Sequence, residues 1–380
     1  MLLFMKFKFL ALSLILLLSF SGCGTNKSMS ASKTEAITPA KISKTVNGVT
    51  VTVDPMIEML SVIQYLSNFD EQFGELTEQK TSYHDDLETA FREFENHEAV
   101  KFINTAMRQG FSFDSPPTAC LYLDEKFSVS SEFEGSDYQR NRLTINMEDF
   151  RNIMEQFFID TNFEEFYLSH QDFYNRMIDA YVEEFPQWNM IDAMESFYGK
   201  EMAGYTIVLV ALFHPGGFGP TLEVADGRYV YSIQGPLESE NDTPLFGNSD
   251  DIAYLIVHEF GHSFIPINEE DNSAMIAEIQ RSKYLMEAIR VEMNRYAYNN
   301  WSIAYEELVL RAVAIYIMKE NTTIDSEVLL QYEQDIGFIY IDAAYEAVLQ
   351  YSQNMEQYST FDDFIPVITD ALLNAYPSLQ

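Results

Sequence analysis

The chain is 380 residues long, 47% hydrophobic and 22% charged, which excludes a disordered, collagenous or coiled-coil bulk and leaves enough apolar side chain for a sizeable core. Its 23 Lys and Arg against 59 Asp and Glu leave a formal charge of −36, so the surface repels phosphate backbones and no nucleic-acid partner is expected. Two cysteines exclude a disulfide-stapled scaffold.

Lys6 and Lys8 precede an apolar run over residues 9–20, the length of a signal-peptide core and short of the roughly 20 residues that span a bilayer. The run closes on Ser21-Gly22-Cys23 and resembles the lipobox of bacterial lipoproteins. That resemblance implies a lipoprotein signal peptide over residues 1–22 and lipidation of Cys23. The protein would then be held to a membrane of the bacterial cell envelope, facing the periplasm or the exterior. Residues 23–45 are rich in Ser, Thr, Lys and Ala without apolar period, as a flexible tether is. Cys120 is left without a partner and is expected as a small buried hydrophobe.

Residues 46–53 alternate β-branched and polar side chains around Asn47-Gly48, which predicts a short strand or hairpin. Asp54-Pro55 then opens a helix carrying Ile57, Leu60, Ile63 and Leu66 at helical spacing. Further amphipathic helices are predicted over 85–94, 98–109, 148–158, 164–185 and 190–198. The run 205–213 (YTIVLVALF) reads as a buried strand, and 221–224 and 229–233 as strands joined by an Asp226-Gly227 turn. A polar loop over 238–251 leads back to helices. Residues 46–380 show no composition break, so a single α+β domain is expected. It should be mostly helical and zincin-like, with a small antiparallel sheet ahead of the helix that carries residues 258–262.

Residues 258–262 read His-Glu-Phe-Gly-His. Two histidines at i and i+4 project from one helical face and can hold a single Zn²⁺, one per chain. Glu259 between them is placed to act as general base toward water and then as acid toward a leaving group. Ser249 or Asp250 is the expected helix cap, with Asp250 and Asp251 at its positive end. The residues after His262 lack the Gly and third His of the metzincin extension, and no later histidine exists. The third ligand should therefore be a carboxylate, a pattern that resembles gluzincins of the thermolysin kind, although their Asn-Glu-x-x-x-Asp ligand motif is absent.

The apolar helix predicted over 301–320 carries Glu307 and Arg311 at i, i+4 among Leu308, Val309, Val313 and Ala314. A buried carboxylate and guanidinium need partners. Zinc supplies one for Glu307, and Arg311 would then orient a carboxylate or bind substrate. Glu306, and Glu278 or Glu287 between the two helices, stay open as third ligands, as does a plain Glu307–Arg311 pair. His214 at a strand end and Tyr340 are further substrate or transition-state candidates, and residues 217–224 could form a strand edge that holds extended substrate.

Several segments together resemble a family of bacterial, often lipid-anchored proteins that is catalogued only as a domain of unknown function and suspected of zinc peptidase activity. They are Val53-Asp54-Pro55 with Ile57-Glu58-Met59-Leu60, Thr161-Asn162-Phe163 with Phe166-Tyr167, His258 to His262, and Glu307 to Ala312. The resemblance spans roughly residue 50 to the C-terminus and favours Glu307 over Glu306. The expected activity is a lipid-anchored zinc metallopeptidase acting on a peptide or protein. The alternatives are a zinc hydrolase of another amide or ester, or a non-catalytic surface-binding lipoprotein with a structural or vestigial zinc site.

Overall fold

The computed structural model describes residues 36–74, 76–135, 142–265 and 273–377. The expected signal peptide over residues 1–22 and the expected lipidation site Cys23 lie outside the described residues. The segment expected as a tether becomes structured before residue 46. Ala36 is buried, the Thr38 N–H donates to the Glu125 carbonyl at 2.8 Å, and Ile42–Val46 forms strand β1. It pairs with β2 (Val49–Val53) as the predicted hairpin. Asn47 and Gly48 take φ of 48° and 82°, the two left-handed residues that let a two-residue turn follow the strand twist.

Helix α1 (Pro55–Tyr65) starts where the Asp54 carboxylate accepts from the Met56 N–H at 2.8 Å. Residues 55–64 are all buried, so α1 is a central helix with no solvent face. Helices fill most of the chain between β2 and the next strands of the sheet, β3 (Gly204–Leu209), β4 (Gly216–Phe218), β5 (Thr221–Val224) and β6 (Gly227–Gly235). The sheet runs β1-β2-β3-β6-β4, with β5 also on β6.

This sheet is mixed and not antiparallel as expected: β2–β3 and β3–β6 are parallel, while β1–β2, β4–β6 and β5–β6 are antiparallel. The reason is connectivity. Parallel neighbours need a long crossover, and the helices between β2 and β3 provide it. They also cover the sheet. Val51, Val53, Ile207, Val208 and Leu209 are buried on successive positions, the unbroken apolar pattern of strands covered on both faces. Part of the predicted polar loop forms a small two-stranded ladder, Glu238–Glu240 with Thr243–Leu245.

The helix predicted over 164–185 divides into Phe163–Ser169 and Gln171–Glu183. His170 breaks it, because its Nδ1–H donates to the Phe166 carbonyl at 2.8 Å and so takes the acceptor its own backbone N–H would use. Two later helices make the site. The motif helix α2 (Ser249–Gly261) packs against β4, β6 and the 21-residue α3 (Trp301–Asn321), and α4 (Ser326–Asp335) packs on α3. Among the described residues no helix is long and apolar enough to cross a membrane.

Candidate metal centre

The motif helix begins one residue earlier than expected. Asn248, not Ser249 or Asp250, caps it: its Oδ1 accepts from the Asp250 and Asp251 N–H groups at 2.9 and 3.2 Å. Asp251 Oδ2 accepts from the Asn248 N–H at 3.2 Å in return, a reciprocal capping box. From Asp251 to Gly261 every residue is buried, so the helix carries His258 and Glu259 into the interior and leaves His262, at its last turn, partly exposed.

Glu307 reaches the same point from α3. Its Oε2 lies 3.4 Å from His258 Nε2 and its Oε1 lies 3.6 Å from His262 Nε2. One donor atom from each of the three residues falls within 4.8 Å of the others. Donors about 2.1 Å from a tetrahedral ion stand about 3.4 Å apart, so the three residues are close enough to share one metal ion. The donor set, two imidazoles and one carboxylate, is that of catalytic zinc sites. Among the described residues no fourth metal-binding side chain joins the group.

The surrounding charges also suit a cation. Glu259, Glu307 and Glu333 are buried carboxylates, and Arg311 is the guanidinium paired with Glu307 and Glu333. Carboxylates thus outnumber the one guanidinium in a poorly solvated place, an arrangement that suits a cation. Burial opposes ionisation of Glu307, but His258, Arg311 and His262 outweigh it and hold its carboxyl well below the usual range. Burial pushes Glu259 up; His258 and His262 pull it back only in part. Burial would lower His262, yet Glu306, Glu307 and Glu259 raise it to about 9.

Glu306, an open alternative for the third ligand, takes a different place. Its Oε1 accepts from His262 Nδ1 at 3.1 Å, which fixes the ring and directs Nε2 toward Glu307. The half-buried Glu278 pairs with Arg281 and the exposed Glu287 with Arg290, and neither joins the group of metal-binding side chains.

The edge strand lies directly on the motif helix. A Cβ on Gly217 would stand 3.0 Å from Glu259 Cγ, and one on Gly219 only 2.2 Å from the Glu259 carbonyl oxygen. At position 219 only glycine permits that approach. β4 is the last strand of the sheet, hydrogen-bonded to β6 on one side.

The Domain of unknown function (DUF4932) matches residues 49–371. The chain belongs to this family. No curated protein and no solved structure matches it. In this DUF4932 member the three remaining candidates take different places. Arg311 is engaged by carboxylates, Glu307 among them, which is one of its two expected roles. Its Nη1 donates to both Glu333 oxygens at 2.9 and 3.2 Å, and its Nη2 to Glu307 Oε2 at 3.2 Å and to the Tyr298 hydroxyl at 3.3 Å. Tyr340 is packed against Trp301 and Tyr376, and its hydroxyl donates to the Leu285 carbonyl at 2.8 Å, so it does not reach the metal-binding residues. His214 lies beside β4, its Nδ1–H held by the Pro215 carbonyl at 2.7 Å and its ring edge on Phe218.

Sequence reasoning missed Glu333 and Tyr298, and held Gly219 only as part of a candidate strand edge over residues 217–224, without its close approach to the motif helix. Tyr298 precedes α3, and its hydroxyl accepts from Arg311 Nη2 at 3.3 Å. Glu333 had a signal: it follows Leu329 and Leu330 at helical spacing, and these three are the buried face of α4. Gly219 had none in the chain itself, because the carbonyl it must clear lies forty residues away.

Proposed function

We propose that the chain is a zinc-dependent hydrolase of zincin-like architecture that cleaves peptide bonds. The observation that carries this reading is the convergence of His258, His262 and Glu307 beside the carboxylate of Glu259. Three protein donors leave room for a fourth position, as a catalytic site needs; structural zinc is closed by four protein ligands. Zinc held there would act as a Lewis acid toward a carbonyl and make water nucleophilic near neutral pH.

The chain's own residues supply the rest. Glu259, one position after His258, takes a proton from water at its carboxylate and returns it to the leaving amine. Glu306 keeps the His262 ring in register. The outer edge of β4, with Gly217 and Gly219 against Glu259, offers backbone groups to an extended peptide laid alongside the reacting centre. This edge favours a peptide over a compact ester or amide. By the lipobox resemblance at Cys23, the enzyme would work from a lipid anchor in the cell envelope on a peptide or protein outside the cytoplasm.

The test is metal content and turnover together. The purified chain should carry about one zinc, and His262→Ala should lose it. Glu259→Gln should keep the metal and lose hydrolysis of a peptide library by about 10²–10⁴-fold. A wild-type chain that takes up no zinc when it is offered would refute the reading. So would a Glu259→Gln variant with unchanged turnover.

A further inference from the structure

We propose that Glu333 is a positioning residue for the metal ligand Glu307, acting through Arg311; the inference rests on the reading of the site as a zinc centre. Glu333 is fully buried on α4 and faces Arg311 with both oxygens. Arg311 turns its other nitrogen to Glu307 and stacks 4.6 Å over the Phe338 ring. The chain of contacts then closes on itself. Tyr254 donates its hydroxyl to Glu333 Oε1 at 2.7 Å, and Tyr254 lies one turn before His258 on the motif helix. Tyr254, Glu333, Arg311, Glu307 and His258 thus form one ring of contacts across α2, α4 and α3.

The ring has a function that packing alone would not require. A buried guanidinium beside Glu307 competes with a metal for the same carboxylate. Glu333 gives that guanidinium a second carboxylate partner with both oxygens on Nη1, so Glu307 need not satisfy Arg311 alone and stays free for the ion while Arg311 holds its orientation. Removing Glu333's charge leaves Arg311 with Glu307 as its one anionic partner in the ring, drawing the ligand away from the histidines. Second-sphere partners of this kind change metal affinity by about 10–100-fold.

Zinc affinity of the purified full chain, measured by competition with a chelator and expressed per folded molecule, separates the possibilities. Glu333→Gln keeps the shape and removes the charge; its zinc Kd should rise by about 10–100-fold. The double variant Arg311→Met with Glu333→Met removes both charges and should bind zinc more tightly than Glu333→Gln alone, because the competitor is gone. A role confined to packing would lower the melting temperature of Glu333→Gln and leave its Kd unchanged, which would overturn the inference while the zinc reading stood. A wild-type chain without zinc would overturn both. Should Glu333→Gln not fold, Tyr254→Phe carries the test: it leaves every charge in place and loosens Glu333, so a raised Kd supports the ring and an unchanged Kd overturns it.

Discussion

Glu58→Gln should stabilise the protein at alkaline pH and change it little in mild acid. Glu58 sits on α1 with 1% of its surface exposed. Its Oε1 accepts from the Tyr83 hydroxyl at 2.8 Å, and Tyr83 meets the Tyr174 hydroxyl at 2.8 Å. Burial raises this carboxyl from 4.5 to about 7, against the opposing hydrogen bonds of Tyr83 and Ala211. In the unfolded chain the group ionises near 4.5, so between 4.5 and about 7 the native state holds a proton that the unfolded state has released. Native stability therefore falls as pH rises through that window and levels off above it. At about 1.4 kcal/mol for each pH unit, the loss is about 3 kcal/mol. Glutamine imitates the neutral acid at every pH. Urea unfolding at pH 5 and pH 8 should show the two proteins close together at the lower value, with Glu58→Gln ahead by about 3 kcal/mol at the higher. Parallel stability profiles would refute the reasoning, because they would mean that Glu58 is charged and solvated in the native state.

Gly219→Ala should separate the edge strand from the motif helix, since its Cβ would fall 2.2 Å from the Glu259 carbonyl oxygen; thermal unfolding should show a loss of about 1–3 kcal/mol, and an unchanged melting temperature would mean that β4 does not rest on α2. Glu306→Ala removes the acceptor on His262 Nδ1 and should weaken zinc binding by about 10–100-fold, which a chelator competition reads directly; an unchanged affinity would show that the ring is oriented by packing alone.

Local chemistry was legible in the chain, and contacts made at long range were not. The i, i+4 spacing of His258 and His262 specifies a shared face whatever the rest of the fold does, and the structure brings both to one point. Glu307 could be read because a carboxylate inside the apolar run of α3 demands a partner. Its neighbour Arg311 was read as orienting a carboxylate or binding substrate, and it does meet Glu307. The second acid that satisfies it, Glu333, lies 22 residues on, and pairing across helices leaves no mark in local spacing. The sheet shows the same limit. The run 205–213 announces a buried strand, yet whether it pairs parallel or antiparallel depends on what lies between it and β2, a choice made by the whole crossover.

The buried acids also show why a charge of −36 carries so little information about the site. Glu58 and Glu307 are the same residue type, each on a buried helix and each almost without solvent contact. One has two hydroxyls and a backbone N–H around it and no cation, so burial prevails and its carboxyl rises to about 7. The other has Arg311 and two imidazoles, so their field prevails and its carboxyl falls well below the usual range. Stability against pH should therefore report Glu58, while affinity for a divalent ion should report Glu307. The difference between a structural acid and a ligand lies in the partners that folding delivers, and here those partners come from α2, α3 and α4 together.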